Sequence, residues 1–158
     1  MHFVKGVGAL LITSCCLLLG VWLCAYERAR YRQAEGFLSL LQYIRLQIDC
    51  FSLPLPQILR SADSKLLGDC RLPHGGDDLT VLLQECNLLL PADFCRTLYD
   101  FAAALGGAYR EEQLRSCEYY IARITPLCKE MRRELPRRLG LWRLLPISLS
   151  AALVLLLI

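Results

Sequence analysis

The sequence predicts an all-α protein, a small helical bundle held between N- and C-terminal transmembrane helices. Apolar runs stand near both ends, at Val7–Leu23 and Leu153–Ile158, and every acidic residue lies between them. Apolar residues of the intervening segment recur at helical spacing, and no stretch shows convincing strand alternation. We therefore predict an N-terminal transmembrane helix over residues 1–26, a helical bundle domain over 27–138 and a C-terminal transmembrane helix over 139–158.

The two apolar runs differ in length. The first, Gly6–Tyr26, is long enough for one helical crossing of about 30 Å of hydrocarbon. The second, Leu144–Ile158, is short, and it would span by drawing in Leu139–Trp142 while the charge of Arg143 reaches back to the headgroups. A cleaved export signal is the alternative for the first run, but the run continues past Cys15 and a strongly basic segment follows it.

Basic residues flank both runs on the side that faces the central segment. Basic flanks mark the cytoplasmic side of a membrane helix, so this arrangement puts the central segment in the cytoplasm and both termini on the opposite side. The flanking residues are Arg28, Arg30 and Arg32 after the first run, and Lys129, Arg132, Arg133, Arg137, Arg138 and Arg143 before or within the second.

Charge is segregated along the chain. From Gln33 to Cys128 there are twelve acidic and eight basic residues, hence a net charge of −4, whereas the whole chain carries +3. The positive charge therefore belongs to the membrane flanks, where anionic lipid headgroups would meet it. A nucleic-acid-binding domain would need a basic face of its own, and because the central segment shows none we expect no nucleic-acid partner.

The first helix should continue from the membrane without a break and end before a pair of prolines. Residues before proline avoid helical backbone angles, so Leu53–Pro56 ends this helix. Pro56 can then open a short helix that ends at Ser61 or Ala62. One face of the long helix carries apolar residues at alternating steps of four and three, namely Phe37, Leu41, Ile44, Ile48 and Phe51.

Two further helices follow a loop. Leu72–Asp77 has the composition of a loop, and Asp78 is suited to cap a helix over Leu79–Asn87. Pro91 should begin the next helix, and Gly106–Gly107 should stop it. One face of that helix carries Phe94, Leu98, Phe101 and Leu105.

The last helix is predicted to be the longest and to pack against the first. Its apolar face has the same alternating spacing, which suits coiled-coil-like packing or an ordinary core-facing stripe. Pro126 and Pro136 should each remove a backbone hydrogen bond, so we expect them to interrupt and kink the helix. The apolar face consists of Leu114, Cys117, Ile121, Ile124, Cys128, Met131 and Leu135.

The nine cysteines do not predict disulfides or a metal site. None forms a C-x-x-C pair, and a cytoplasmic domain would keep its thiols reduced, so most should be small core residues. Cys70, His74 and Asp77 could be combined into a zinc site, but no fourth ligand stands nearby. We therefore expect no bound metal.

The sequence shows no signature of catalysis. It has no glycine-rich phosphate loop, no Ser-His-Asp pattern and no paired histidine ligands. His74 is interpreted as a loop residue, and Asp77 and Asp78 as turn and cap residues rather than a catalytic pair. We predict a protein that is not an enzyme, with no catalytic residues and no cofactor.

A polar cluster at the start of the last helix, Arg110, Glu111, Glu112 and Gln113, has two interpretations. Acidic residues in a first turn complement the helix dipole, which would account for them without a partner. The cluster also follows the Gly106–Gly107 turn at one end of the bundle, where it could form a contact surface for another protein.

The order and spacing of several motifs resemble the stage III sporulation protein AB family of endospore-forming bacteria, over nearly the whole chain. The matching features begin with an N-terminal membrane helix that has a basic flank, and continue through the bundle to the C-terminal apolar run. They are Leu40-Leu41 with Ile44 and Ile48, Pro54-Leu55-Pro56 with Ile58-Leu59, Leu105-Gly106, Arg110-Glu111-Glu112-Gln113, Arg138-Leu139-Gly140 and Leu155-Leu156-Leu157-Ile158.

The resemblance implies a role in the mother-cell membrane that faces the forespore. Members of that family belong to the complex that joins the two cells, and their helical domain is similar to the F-type platform proteins of type II secretion and type IV pilus machines. The implied partners are an ATPase of the stage III sporulation protein AA type and other stage III sporulation membrane proteins. The implied function is that of a scaffold which couples the ATPase to these membrane partners.

Two alternatives remain at this point. One is a general type II secretion or type IV pilus platform subunit, although a complete platform repeats the helical domain and this chain has room for one copy. The other is an exported lipoprotein or ectodomain, which would require cleavage before Cys15 and paired thiols. Self-association into a homo-oligomer is left open.

Overall fold

The computed structural model of the chain describes residues 2–73, 75–105 and 109–157. This part of the chain is all-α, as predicted, and contains no strand. The helices are α1 (His2–Phe51), α2 (Leu55–Ser61), α3 (Ser64–Cys70), α4 (Leu79–Glu85), α5 (Ala92–Leu105) and α6 (Arg110–Leu157).

The chain divides into two compact units. The terminal unit consists of Met1–Ala29 and Arg132–Ile158, and the central unit is Arg30–Met131. Helices α1 and α6 contribute to both units, whereas α2 to α5 belong to the central unit alone.

Helix α1 is continuous and ends at Phe51, as the proline pair predicted. The chain leaves it through Ser52, whose φ of 52° is left-handed and whose N–H still donates to the Ile48 carbonyl at 3.1 Å. Among the described helices, one stretch, Leu10–Phe51, is long and apolar enough to cross a membrane. Crossing by the C-terminal run, whose side chains lie in part outside the description, stays a prediction.

Two of the short helices, α3 and α4, have side-chain caps at their first turns. Asp78 accepts a hydrogen bond from the Thr80 N–H at 2.8 Å, so it caps α4 as expected, although this helix ends before Asn87. Helix α3 was not predicted. Its local signals are Asp63, which accepts from the Lys65 N–H at 3.1 Å, and Arg71, whose left-handed φ of 61° lets its N–H return to the carbonyls of the last turn.

The core of the central unit is made by the predicted faces of α1, α5 and α6, closed by the short helices. Inside this unit α6 lies against α1, and the Cys128 thiol approaches the Ala34 carbonyl at 3.6 Å. The four predicted residues of α5 are all buried, and Leu114, Ile121 and Met131 of α6 are packed against the core in partly buried positions. The largest fully buried side chains are Phe37, Phe94, Phe101, Leu40, Leu41, Ile44, Ile58, Leu59, Leu83, Leu98, Leu105 and Ile124.

Two sequence predictions about helix faces and breaks were wrong. Phe51 was placed on the buried face of α1, but its side chain is 66% exposed because α1 ends there and the chain turns away. Pro126 and Pro136 were expected to interrupt the last helix, yet α6 runs through both and through Pro146. Each proline removes only its own N–H, and the many remaining bonds of so long a helix keep it continuous.

The terminal unit is held by a close approach of its two helical segments. A Cβ on Gly20 would lie 2.9 Å from Pro146 Cγ and 3.1 Å from the Trp142 carbonyl oxygen, so only glycine fits there. One turn further along α1, the Cys24 thiol points to the Leu139 carbonyl at 3.9 Å. Among the side chains that the structure describes in this unit, most apolar ones are exposed, in contrast to those of the central unit.

Candidate functional site

The start of α6 meets the end of α1 through Arg110. Its Nη2 donates to the Asp49 carbonyl at 2.6 Å and its Nε to the Ile48 carbonyl at 3.3 Å, while Nη2 lies 3.6 Å from the Asp49 carboxylate. The last four carbonyls of a helix lack partners within it, and a cation there also complements the helix dipole. Arg110 is therefore a cap of α1, which accounts for this residue within the bundle itself.

Of the other residues in the predicted contact cluster, Gln113 is hydrogen-bonded within the bundle, and Glu111 and Glu112 are exposed. The Gln113 side chain donates to the Leu105 carbonyl at 3.4 Å, so it secures the end of α5. Glu111 and Glu112 are exposed in the first turn of α6, with no ion pair or hydrogen bond among the described residues. The Gly106–Gly107 turn beside which the cluster was predicted to stand lies outside the described residues.

Two aromatic side chains are exposed close to this cluster. Phe51 is 66% exposed at the end of α1, and Tyr109 is 83% exposed directly before α6. The Arg110 cap brings these two helix ends together, so both rings stand at the same end of the bundle. We call Phe51, Tyr109, Glu111 and Glu112 the bundle-end surface; exposed aromatic residues are common at the centres of protein interfaces.

Sequence reasoning missed the main polar residue of the central unit, Gln33. Its side chain is fully buried, and its amide NH₂ donates to the carbonyls of Cys70 at 3.0 Å and Asn87 at 3.2 Å. Its amide oxygen accepts from the Leu89 N–H at 2.8 Å. One signal was available: Gln33 stands four residues before Phe37, on the buried face of α1.

The cysteines in the core of the central unit are unreactive thiols. All nine are free, and Cys70, Cys117 and Cys128 are buried in the core, as predicted for most of them. Burial raises the pKa of the Cys117 and Cys128 thiols to about 11 in each case and raises that of Cys70 further. These three thiols are therefore neutral at physiological pH and poor nucleophiles.

The residues considered for metal binding or catalysis have structural roles where the chain is described. Asp77 forms a double hydrogen bond with Arg60, at 2.7 and 2.6 Å, which ties the loop before α4 to α2. Cys70 is enclosed in the core, and His74 lies outside the described residues. Within the described parts, no three His, Cys, Asp or Glu side chains are placed to hold a metal ion.

The arginines of the basic flank are mostly exposed, and Arg138 is ion-paired. Arg138 lies 2.8 Å from Glu134 and 3.6 Å from Glu27, which is itself buried at 9% exposure. Arg30 is half-buried. The exposed members are Arg28, Arg32, Arg132, Arg133, Arg137, Arg138 and Arg143.

These features define a class: a small all-α bundle whose first helix also carries a stretch suited to a membrane. The family model of stage III sporulation protein AB matches residues 5–71 and 81–158, nearly the whole chain, and the chain belongs to that family. The prediction made from the sequence motifs is thereby confirmed. The unmatched residues are 1–4 and 72–80, and the second range includes the cap Asp78 and the first two residues of α4. Comparisons with curated proteins and with solved structures found no match.

Proposed function

We propose that this protein is a non-enzymatic membrane scaffold of the complex that joins mother cell and forespore during sporulation. The terminal unit would sit in the mother-cell membrane that faces the forespore, and the central unit would lie in the cytoplasm. There it would couple an ATPase of the stage III sporulation protein AA type to other stage III sporulation membrane proteins. The observation that carries the proposal is the family match over nearly the whole chain.

The helices are consistent with such a role. Helix α1 combines an apolar part, suited to a membrane by length and composition, with a part that contributes to a water-soluble core, and no loop separates them. The basic flanks favour the cytoplasm for the central unit. A scaffold needs contact surfaces rather than a reactive site, and the neutral core thiols and tied aspartates support that reading.

We assign the ATPase contact to the bundle-end surface. Arg110 and Gln113 are used within the bundle, so the residues left for a partner are Glu111 and Glu112 with the rings of Phe51 and Tyr109. Two exposed carboxylates beside two exposed aromatic rings would suit a basic partner surface with an apolar centre.

Deletion of the gene in its own host tests the role. Sporulation should arrest after the forespore is engulfed, while vegetative growth and secretion stay normal, as followed by microscopy. Normal spores would contradict the proposal. Loss of secretion or of pili would instead favour a general platform subunit.

Complementation with surface variants tests the assigned contact. The double variant E111K/E112K should fail to restore spores and should lose association with the ATPase in a co-purification from membranes. The matched control is E85K/D93K, which changes the charge equally at two other exposed acidic positions of the central unit. Loss of binding in both variants, or in neither, would remove the assignment while leaving the scaffold role to the deletion experiment.

A further inference from the structure

A groove runs along the terminal unit between the apolar segments of α1 and α6. Its volume is about 380 Å³, and its apolar lining includes Leu17, Val21 and Ala25 from α1 and Ile147 from α6. Gly20 and Pro146 also contribute, at the point where the two segments approach most closely. The groove therefore follows the part of the chain that would be in hydrocarbon.

The same groove is lined by two arginines, Arg28 and Arg143. Both are exposed, and among the described residues neither has an ion-pair or hydrogen-bond partner. No acidic side chain lines the groove. Nearby Arg138 is different, because Glu134 and Glu27 compensate its charge.

In the sequence the two arginines stand at the boundaries of the apolar runs. Arg28 stands two residues after the first apolar run and Arg143 directly before the second. A guanidinium can donate two parallel hydrogen bonds to a phosphate, and basic pockets between membrane helices are suited to anionic lipid headgroups. Two uncompensated cations that line an apolar groove thus suit one kind of ligand, a phosphate with an acyl chain attached.

We propose that this groove is a binding site for one anionic phospholipid, with its phosphate on Arg28 and Arg143 and an acyl chain along Leu17, Val21 and Ile147. The inference rests on the membrane location in the proposed function, but not on any protein partner. The bound lipid would fill the gap beside the Gly20 contact and order the two segments at their basic end.

Lipid retention by the full-length protein tests the site. The protein is purified in detergent, exchanged into phosphatidylcholine nanodiscs that contain a small fraction of phosphatidylglycerol, and released for native mass spectrometry. Wild type should retain one phosphatidylglycerol molecule. R28Q/R143Q should reduce retention by roughly tenfold or more, since the phosphate loses two charged hydrogen-bond donors.

Two further variants separate the site from general surface attraction. R132Q/R133Q removes the same charge from exposed flanking positions that do not line the groove, and it should retain the lipid. A25F keeps both arginines and fills the groove, so it should lose the lipid. Equal loss in R132Q/R133Q, or full retention in A25F, would overturn the proposal.

Two control ligands identify the source of the phosphate. Equal retention of phosphatidylcholine would overturn the requirement for a net negative charge. Displacement of the lipid by millimolar glycerol 3-phosphate would indicate a phosphate site without an acyl-chain groove, and it would overturn the proposal as well.

Carbonate extraction of cell membranes is done first. It distinguishes an error in the membrane location from an error in the lipid site alone. A protein that is released into the soluble fraction would refute the membrane location itself. A protein that stays in the pellet but retains no lipid would refute the groove site alone and leave the proposed scaffold role intact.

Discussion

The central and terminal units differ in the exposure of their apolar side chains. In the central unit Phe37 is 1% exposed, whereas in the terminal unit Leu18 is 70% exposed, although both belong to α1. Exposing apolar surface to water costs about 25 cal/mol per Å². This difference in exposure indicates that the part of α1 around Phe37 is suited to the buried core of a domain. The part around Leu18 is suited to hydrocarbon.

The two units also differ in the contacts that hold them together. The central unit uses the buried amide of Gln33 to hold two loops, and Arg110 to cap a helix. The contact at Gly20 in the terminal unit depends on the absence of a side chain. Stability in the first case comes from burial and satisfied hydrogen bonds, and in the second from close backbone approach.

The largest expected change in the free energy of unfolding is that caused by F37A. Removing a fully buried aromatic ring should destabilise the central unit by about 3–5 kcal/mol, because transfer energy is lost and a cavity remains. Thermal unfolding of the full chain in nanodiscs, followed by circular dichroism, measures it. The matched variant L18A should change little, and equal destabilisation by the two would break the comparison.

The next effect is expected for Q33L. Leucine fits a buried site but leaves the Leu89 N–H and the Asn87 carbonyl without their partner, which should cost on the order of 3 kcal/mol. Hydrogen exchange at Leu89 should rise together with the loss of thermal stability. S39A, which removes an exposed hydroxyl from the same helix, is the control; if it matched Q33L, the buried network would not be the cause.

Replacing two glycines by alanine should change the free energy of unfolding in opposite directions. A Cβ on Gly36 would lie 3.0–3.2 Å from backbone atoms of Asp69 and Cys70, so G36A should destabilise the central unit by about 2 kcal/mol. Gly68 lies inside α3 with open space around it, and G68A should stabilise the protein by up to about 1 kcal/mol. Thermal unfolding of both variants measures these changes in stability. An increase in thermal stability in G36A would contradict the close approach of α1 and α3.

A smaller effect is expected for R110Q. It should cost about 1 kcal/mol, since two helix-end carbonyls lose a charged donor. Hydrogen exchange near Ser52 should increase, because that N–H closes the last turn of α1. R115Q removes an exposed charge from the next turn of α6 and should leave both quantities unchanged; an equal effect there would argue against a capping role.

The smallest effect concerns the loop before α4. Arg60 holds the pKa of the Asp77 carboxyl below its ordinary value, so the tie is present at neutral pH and is lost as the pH falls through that lowered pKa. Relative to its intrinsic rate, the hydrogen exchange of the loop should therefore rise as the pH falls through that lowered pKa. D77N should raise it at neutral pH, whereas E85Q should not; an unaltered loop in D77N would show that the pair does not hold it.

Features that depend on neighbours along the chain were predictable from the amino-acid sequence. Proline before a helix, aspartate at a cap and apolar residues at steps of three and four predicted the end of α1, the start of α4 and the buried face of α5. The order and spacing of motifs along nearly the whole chain predicted the family, and the same local patterns sufficed for the fold class. They act within one or two helical turns, so they can be read without knowing the tertiary structure.

Roles that depend on residues distant in the sequence became apparent in the folded arrangement alone. Gln33 meets the carbonyls of Cys70 and Asn87, and Arg110 meets that of Asp49, across separations that no periodicity encodes. The exposure of Phe51 depends on which elements fail to cover it. The pairing of Arg28 with Arg143 in one groove likewise required both ends of the chain to come together. Burial, capping and charge compensation are properties of a packed arrangement, because each is set by whichever groups folding brings within contact distance.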